Sequence, residues 1–204
     1  MAGFFITLEG GEGVGKTTQL KLVASQLREK GYNVVTTREP GGTPLGEKIR
    51  EILLKGDADK MEPMTEALLF TAVRYNHYTK VIKPAIDRGD IVISDRYCDT
   101  TFAYQGFAHG LGIEKMEKLY NFAIGDFKPN LTIVFDLPKG KSHGRLTEIN
   151  RFENMGDSWL LKGAEGFREV AKKYPERCVL MDSSGTIEEV TTRIMNIINE
   201  KLGL

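Results

Sequence analysis

Cysteine is scarce in this chain of 204 residues, and neither sign of charge is in excess. Cys98 and Cys178 lie far apart in the sequence, which fits neither the spacing of a metal site nor the dense disulfide framework of a small secreted domain. Lysine and arginine together number 28, as do aspartate and glutamate. With a net charge of +0 the chain has no overall field to hold a nucleic acid or an anionic membrane, so we expect neither as a partner. A polyanionic ligand would have to bind where basic residues are concentrated locally.

Long hydrophobic runs and low-complexity segments are absent as well. No apolar run approaches the roughly 18 residues of a membrane-spanning helix, and the first residues, MAGFFITLEGG, lack the basic region and cleavage site of a signal peptide. These features predict a cytoplasmic protein. Because 41% of the residues are hydrophobic and no linker or repeat divides the sequence, we expect a single domain over 1–204.

Short apolar runs alternate with longer patterns of helical period. The runs are rich in β-branched and aromatic residues and predict strands at 4–8, 34–37, 91–94, 131–135 and 178–181. Pro63 is expected to begin a long helix that Pro84 bends or ends, and Thr186 with Glu189 fits a capping box. The alternation predicts an α/β fold with helices on both faces of a five-stranded parallel sheet. Such sheets bind ligands beyond the carboxyl ends of their strands.

A glycine-rich motif follows the first predicted strand and leads into an amphipathic helix. Residues 10–17 read GGEGVGKT and match the P-loop pattern GxxxxGK[ST]. In this pattern backbone N–H groups bind phosphate oxygens, Lys16 reaches the β- and γ-phosphates, and the Thr17 hydroxyl ligates Mg²⁺. The alternative is a glycine-rich turn that only joins strand to helix. The motif predicts a three-layer P-loop NTPase fold that binds a nucleoside triphosphate through Gly10, Gly11, Glu12, Gly13, Val14, Gly15, Lys16, Thr17 and Thr18.

Two further segments place charged side chains where an acceptor could bind. Asp95 and Arg96 follow the third predicted strand, where Asp95 could hold Mg²⁺ and Arg96 could bind a phosphate bidentately. The alternative is a structural ion pair between the two. Phe70 and Arg74 lie four residues apart and therefore on one face of the long helix, which would set an aromatic ring beside a phosphate-binding cation. Taken alone, the two are typical of a core phenylalanine and a solvated surface arginine.

Four segments together resemble the thymidylate kinase family in sequence and order. They are EGGEGVGKTT at 9–18, REPGGT at 38–43, LLFTAVRYNH at 68–77 and SDRYCDTTFAYQG at 94–106. The resemblance covers essentially the whole chain. It implies transfer of the γ-phosphoryl group of ATP, with Mg²⁺, to the small-molecule substrate dTMP, which gives dTDP. It also implies a homodimer.

The resemblance assigns roles to residues at the acceptor site. Phe70 would stack on thymine, Arg74 and Gln105 would read the edge of the base, and Arg96 would hold the acceptor phosphate. Tyr104 would crowd the ribose 2′ position and so favour deoxyribose. The remaining acceptor contacts that it implies are Glu12, on the 3′ side of the sugar, together with Glu39, Pro40, Tyr97 and Thr101.

A basic segment at about 137–153 is the predicted lid. A mobile segment of this kind can close over ATP and bring an arginine to the transferring phosphoryl group, whereas the alternative is a solvated basic loop. NRFE at 150–153 resembles the DRFE lid motif of the family, and in the bacterial type of the family the lid supplies the catalytic arginine. Arg145 is the first candidate for that role and Arg151 the second. In the alternative, Arg151 anchors the lid or stacks near adenine. The basic residues of the segment are Lys139, Lys141, His143, Arg145 and Arg151.

Two other functions remain open from the sequence. A deoxynucleoside kinase would share the P-loop but would phosphorylate a 5′-hydroxyl, which calls for a carboxylate base, and Glu39 is the candidate. The pair Arg74 and Arg96 favours an acceptor that already carries phosphate. The second alternative is a module that binds ATP without turnover. Charges such as Lys16 and Asp95, clustered at strand ends, weigh against it because such clusters are costly to keep without a role.

Overall fold

The computed structural model describes residues 3–55, 61–137, 151 and 155–203. In this part of the chain the strands are β1 (Phe4–Gly10), β2 (Val34–Arg38), β3 (Ile91–Asp95), β4 (Leu131–Asp136) and β5 (Cys178–Asp182). They form one parallel sheet in the order β2-β3-β1-β4-β5. The predicted strands are confirmed, and each ends one or two residues later than the sequence pattern indicated.

Helices cover both faces of this sheet. Within the described residues they are α1 (Lys16–Glu29), α2 (Pro44–Leu54), α3 (Pro63–His77), α4 (Lys83–Asp87), α5 (Cys98–Thr101), α6 (Ile113–Ile124), α7 (Asp157–Lys173) and α8 (Ile187–Leu202). On one face α1 and α8 pack through a core that includes Leu27 and Ile194. On the other face a larger core includes Phe70, Phe102 and Phe167. The predicted three-layer α/β fold is confirmed, and none of the helices described combines the length and hydrophobicity needed to cross a bilayer.

The alternation of side chains along β1 places buried polar residues near the carboxyl end of this strand. Ile6 and Leu8 enter the core under α1 and α8, whereas Phe5 enters the larger core on the opposite face. Because side chains alternate along a strand, Thr7 and Glu9 share the face of Phe5, and both are fully buried. The larger core therefore contains polar groups of β1 close to its carboxyl end.

Local sequence signals decide where several helices begin and end. Pro63 begins α3 as predicted, and a π-helical turn at Tyr78–Ile82 joins α3 to α4. Pro84, which has no N–H to donate, follows this wider turn, and α4 ends three residues after it at Asp87. Thr186 and Glu189 form the predicted capping box at the start of α8.

The backbone after β3 is unusual. Arg96 has φ 69 and is the one non-glycine residue with a left-handed backbone in the described part of the chain. Such a conformation stores about 1–3 kcal/mol of strain and is concentrated at functional sites. After α5 the chain continues through a second π-helical turn at Phe102–Ala108, which carries Tyr104 and Gln105. The left-handed backbone of Arg96 and the π-helical turn together determine how the side chains after β3 are presented toward the P-loop.

Candidate active site

The P-loop lies between the carboxyl end of β1 and the start of α1. Gly10 has φ 129, and a Cβ there would lie 2.6 Å from the carbonyl oxygen of Phe135, so a side chain would clash with β4. Gly15 is the N-cap of α1, with φ 92, and it supplies no side-chain cap to the first N–H groups of the helix. Val14 packs in the core beneath the loop, and Thr18 is exposed on α1. The N–H groups and the positive end of the helix dipole at this point suit a phosphate anion.

Lys16 is buried within this loop, and its ammonium group faces backbone carbonyls. Nζ donates to the carbonyl oxygens of Gly10 at 3.2 Å and Gly11 at 2.5 Å. Burial lowers the pKa of Lys16 to about 8. A triphosphate beside the ammonium would stabilise the charge that burial disfavours. The loop therefore fits the phosphate chain of ATP.

Thr17 and Asp95 join the start of α1 to the end of β3. Oγ1 of Thr17 donates to Oδ2 of Asp95 at 2.6 Å. A hydroxyl and a carboxylate are the hard oxygen ligands that Mg²⁺ prefers, and protein Mg²⁺ sites usually combine one or two such groups with phosphate oxygens and water. The structure thus brings together the two residues predicted as metal ligands, in a donor set that fits Mg²⁺.

Arg96 reaches from the end of β3 to the P-loop. Nη2 donates to Oε1 of Glu12 at 2.7 Å, and Nη1 donates to the carbonyl oxygen of Gly10 at 2.9 Å. The guanidinium also lies over the ring of Tyr104, 5.9 Å from its centroid. Burial opposes the charge of Arg96, but the combined attraction of several nearby groups, Glu12 first among them, outweighs it and raises the pKa of Arg96, while Arg96 lowers the pKa of Glu12. Arg96 pairs with Glu12 and not with Asp95, and it stays charged beside the P-loop.

The buried face of α3 carries Glu66, Phe70, Arg74 and His77. Arg74 donates from Nε to Oε2 of Glu39 at 2.9 Å, and from Nη2 to the carbonyl oxygen of Tyr97 at 3.0 Å and to Oγ1 of Thr101 at 3.1 Å. Oε1 of Glu39 is hydrogen-bonded to Nδ1 of His77 at 2.9 Å. Arg74 is only 2% exposed, so it is not the solvated surface charge that its position alone would indicate. Burial opposes its charge, but the combined effect of several nearby groups, Glu39 first among them, outweighs burial and raises the pKa of Arg74.

The π-helical turn after α5 brings Tyr104 and Gln105 next to α3 and α7. The ring of Tyr104 stacks on Trp159 with a centroid distance of 4.7 Å and an angle of 8°. Burial raises the pKa of Tyr104 to about 12, so its hydroxyl stays protonated. Nε2 of Gln105 donates to Oε1 of Glu66 at 2.5 Å. Tyr97, by contrast, has its ring in the core, and its backbone makes the contacts with the site.

Of the two candidate lid arginines, the structure describes only Arg151. Arg145 lies outside the described residues, as do all other residues of the predicted lid except 137 and 151. Arg151 is buried, and its Nε donates to the carbonyl oxygen of Leu53 at 3.0 Å while its Nη2 donates to Oε2 of Glu66. The structure thus places Arg151 between the end of α2 and the buried face of α3.

Comparison with known proteins assigns this chain to a family. The sequence model of thymidylate kinase matches residues 8–194. A thymidylate kinase of Mesoplasma florum is 45% identical over 204 residues, covering 98% of this chain and 97% of the relative. One of Syntrophotalea carbinolica is 41% identical over 210 residues, with 98% and 97% covered. The chain belongs to the thymidylate kinase family.

A solved structure agrees with this assignment. The crystal structure of thymidylate kinase from Ehrlichia chaffeensis matches the chain with a TM-score of 0.81 at 33% identity, and the match covers 97% of this chain and 100% of the other. The five-stranded parallel sheet flanked by helices is thus the fold of a thymidylate kinase.

Glu9 contacts the segment that carries Arg96 but was not predicted as a site residue. It is fully buried; its Oε1 accepts from the backbone N–H of Tyr97 at 2.7 Å, and its Oε2 accepts from Oγ1 of Thr100 at 2.5 Å. Burial, with a smaller contribution from Asp99, raises the pKa of Glu9 to about 7. Glu9 therefore ties β1 to two points of the segment that follows Arg96, the backbone of Tyr97 and the side chain of Thr100. The only signal in the sequence was its place in the alternation of β1.

Three more residues were missed by sequence reasoning. Arg50 on α2 donates from Nη1 to the carbonyl oxygen of Pro40 at 2.7 Å, and burial, with a smaller effect from the nearby Arg38, lowers the pKa of Arg50. Trp159 forms the stack with Tyr104 and had no motif to mark it. Glu66 had a usable signal, because it precedes Phe70 by four residues on the same helix face.

Proposed function

We propose that this chain transfers the γ-phosphoryl group of ATP to dTMP, giving dTDP and ADP. The observation that carries the proposal is the position of Arg96 directly beside the P-loop of Lys16, to which its guanidinium is hydrogen-bonded. A site for a triphosphate next to a guanidinium for a second phosphate suits transfer between two phosphates. Membership of the thymidylate kinase family supports dTMP as the acceptor.

In this proposal the acceptor nucleotide lies between α3 and the π-helical turn that carries Tyr104. Phe70 stacks on thymine, Arg74 and Gln105 read the edge of the base, and Arg96 holds the phosphate. Tyr104 lies against Trp159, which limits its movement and supports its proposed role in excluding a ribose 2′-hydroxyl. The remaining acceptor contacts that we propose are Glu12, Glu39, Pro40, Tyr97 and Thr101.

In the proposed reaction the phosphoryl group passes directly between the two nucleotides, and no protein side chain forms a covalent bond to it. An oxygen of the acceptor phosphate attacks the γ-phosphorus, the bond to the β–γ bridging oxygen breaks, and ADP leaves with the electron pair. Because the second pKa of a phosphate monoester is about 6, the acceptor is already anionic near neutral pH and needs no general base. We assign catalysis to alignment and to neutralisation of the phosphoryl charge by Lys16, Arg96 and Arg145.

Mg²⁺ is part of the same proposal. Thr17 and Asp95 would hold the ion, since their oxygens already lie together at the end of β3. When bound, Mg²⁺ neutralises charge on the phosphate oxygens. A cytoplasmic location and a single domain over 1–204 stay predictions.

The structure also bears on the two alternative functions. A deoxynucleoside kinase would need Glu39 as a base, but one of its carboxylate oxygens binds Arg74 and the other binds His77. This arrangement suits a residue that positions Arg74 better than one that accepts a proton. A module without turnover has no need of the charged pair of Arg96 and Glu12 beside the phosphate loop.

The acceptor preference tests the proposed reaction. We expect ADP release from ATP and Mg²⁺ to be fastest with dTMP, slower with dUMP and with the ribose analogue of TMP, and near the acceptor-free background with dCMP and thymidine. Coupled ADP detection, with the acceptor-free reaction as the control, measures this. Turnover with thymidine but not dTMP would assign the chain to the nucleoside kinases, and no turnover with any acceptor would favour the binding module.

We further propose that two copies of the chain form a homodimer through α2, α3 and α6, which pack side by side. Large apolar side chains are exposed on these helices at Leu45, Ile52, Leu68, Tyr75 and Phe122. The first two lie seven residues apart on α2 and the next two lie seven apart on α3, so each pair shares one helix face. Exposed apolar surface of this kind marks an interaction site.

Sedimentation equilibrium should give the mass of two chains for the wild type, and Phe122→Glu should weaken the assembly because the side chain is 91% exposed in one copy. Glu114→Lys, an exposed substitution at the other end of α6, is the control and should leave the mass unchanged. A monomeric wild-type protein at micromolar concentration would contradict the proposal.

A further inference from the structure

Hydrogen bonds join α3 to the segment after β3 at two levels along the helix. At one, Nη2 of Arg74 donates to Oγ1 of Thr101, and at the other, Nε2 of Gln105 donates to Oε1 of Glu66. Phe70 lies on α3 midway between Glu66 and Arg74, four residues from each and on the same buried face. The proposed base-binding residues Phe70, Arg74 and Gln105 therefore lie at or between these two levels. Glu66 is the remaining residue, at the level of Gln105.

Glu66 decides which end of the Gln105 amide points toward it. An ionised carboxylate only accepts hydrogen bonds, so the amide must present Nε2 and keep Oε1 on its other side. Burial alone would raise the pKa of Glu66, but the combined effect of His109, whose Nε2 lies 3.6 Å from Oε1 of Glu66, of Arg151 and of the Gln105 amide outweighs it and lowers the pKa below its ordinary value. Glu66 is fully buried, so water does not compete for its oxygens.

The other end of the amide is the part that lacks a protein partner. Oε1 of Gln105 is buried and accepts no hydrogen bond from any residue in the described part of the chain. Buried polar atoms are almost always hydrogen-bonded, so this acceptor calls for a donor that the ligand supplies. The N3–H of a thymine ring is such a donor, whereas N3 of a cytosine ring is itself an acceptor.

We propose that Glu66 is a specificity-determining positioning residue: by binding Nε2 of Gln105 it leaves Oε1 as the acceptor, and so selects a pyrimidine with an N3–H over one of cytosine type. This inference rests on the proposed phosphorylation of dTMP. It adds to the base-edge role of Gln105 a reason why its amide has one orientation. Arg151 contributes by holding the other carboxylate oxygen of Glu66.

The test compares dTMP with 5-methyl-dCMP, which has the same sugar, phosphate and methyl group and differs only at the edge of the base. In Glu66→Gln the new amide can donate or accept, so the amide of Gln105 can turn either way. We expect the preference for dTMP over 5-methyl-dCMP, measured as a ratio of kcat/KM, to fall about tenfold or more. The loss should come mainly from a higher KM for dTMP, with the KM for ATP unchanged.

Two controls separate positioning from a general structural effect. Glu62→Gln removes an exposed carboxylate at the start of the same helix and should keep the wild-type preference. In a Gln105→Leu background, adding Glu66→Gln should change the preference no further, because Glu66 acts through Gln105. If Glu66→Gln fails to fold because Arg151 is left unpaired, the double substitution Glu66→Gln with Arg151→Gln removes both charges and serves instead.

The outcomes distinguish this inference from the proposed function. Wild-type preference in Glu66→Gln, together with a lost preference in Gln105→Leu, would overturn the role of Glu66 while leaving dTMP phosphorylation intact. A further fall when Glu66→Gln is added to Gln105→Leu would also overturn it, because Glu66 would then act by another route. A wild-type protein that does not phosphorylate dTMP would instead overturn the proposed function.

Discussion

Lys16→Met is expected to lower kcat for dTMP phosphorylation by roughly 10³, because it removes a cation from the developing charge of the transferred phosphoryl group. The same substitution should not destabilise the protein without nucleotide. Nζ of Lys16 faces only the carbonyl oxygens of Gly10 and Gly11 at hydrogen-bond distance in the described residues, and its charge is buried. Most buried substitutions that abolish activity also lower the thermal midpoint, so this combination is distinctive.

The pH dependence of stability follows from the pKa of Lys16. Burial lowers that pKa from 10.5 to about 8, so between these pH values the unfolded chain holds a proton that the folded protein has released. The contribution of Lys16 to stability therefore rises with pH across this window and is least favourable below pH 8. At neutral pH this difference in pKa corresponds to a net cost of about 3 kcal/mol for keeping the buried group charged. Removing Lys16 should flatten the rise of the free energy of unfolding between pH 8 and pH 10.5.

Three measurements check these expectations. Steady-state kinetics gives the loss of kcat, denaturant unfolding at pH 7 and pH 9.5 gives the stability, and the thermal midpoint with and without ATP reports binding, which should shift the wild type far more than Lys16→Met. Lys21→Met is the matched control, since it removes an exposed lysine from the same helix. A clear loss of stability in Lys16→Met at neutral pH would contradict the interpretation that its buried charge is unfavourable before nucleotide binds.

The fold and the phosphate-binding part of the site could be predicted from the sequence because their signals are local. Each strand is a short apolar run, and the residues of the P-loop are contiguous, so the strand, the loop and the helix could be recognised together. Thr17 and Asp95 come from distant positions, but both follow strands of one parallel sheet. Sheet topology alone places their side chains at one edge, and the structure finds them 2.6 Å apart.

The acceptor side could be predicted only in part, because its contacts join segments that no local pattern connects. Arg74 is buried against Glu39, which follows β2 and is also hydrogen-bonded to His77 of α3, so the environment of Arg74 depends on contacts between segments far apart in the sequence. The partner of Arg96 is Glu12, a residue of the P-loop itself, and this pairing depends on the left-handed backbone of Arg96. Neither the left-handed backbone of Arg96 nor its pairing with Glu12 can be recognised from residue composition or from the spacing of hydrophobic residues.

Arg145→Ala is expected to lower kcat by about 10³ or more while leaving the KM for dTMP within a few-fold of the wild type. An arginine that meets the transferring phosphoryl group acts in the transition state, so its loss reduces kcat more than substrate binding. The family resemblance gives this role to a lid arginine, and Arg145 is our first candidate for it. The structure adds an argument by exclusion, since the other candidate, Arg151, is already bound to Glu66 and to the carbonyl oxygen of Leu53.

Arg151→Ala serves as the matched control and should behave in the opposite way. It leaves the carboxylate of Glu66 buried without its guanidinium partner, which is expected to reduce the free energy of unfolding by about 3 kcal/mol. Its kcat, measured well below the melting temperature, should fall less than that of Arg145→Ala. Kinetics and denaturant unfolding of both variants, made in parallel, decide between the two arginines. If Arg145→Ala keeps kcat within a few-fold of the parent while Arg151→Ala loses about 10³ with little change in stability, the catalytic role belongs to Arg151, which must then leave Glu66 during turnover.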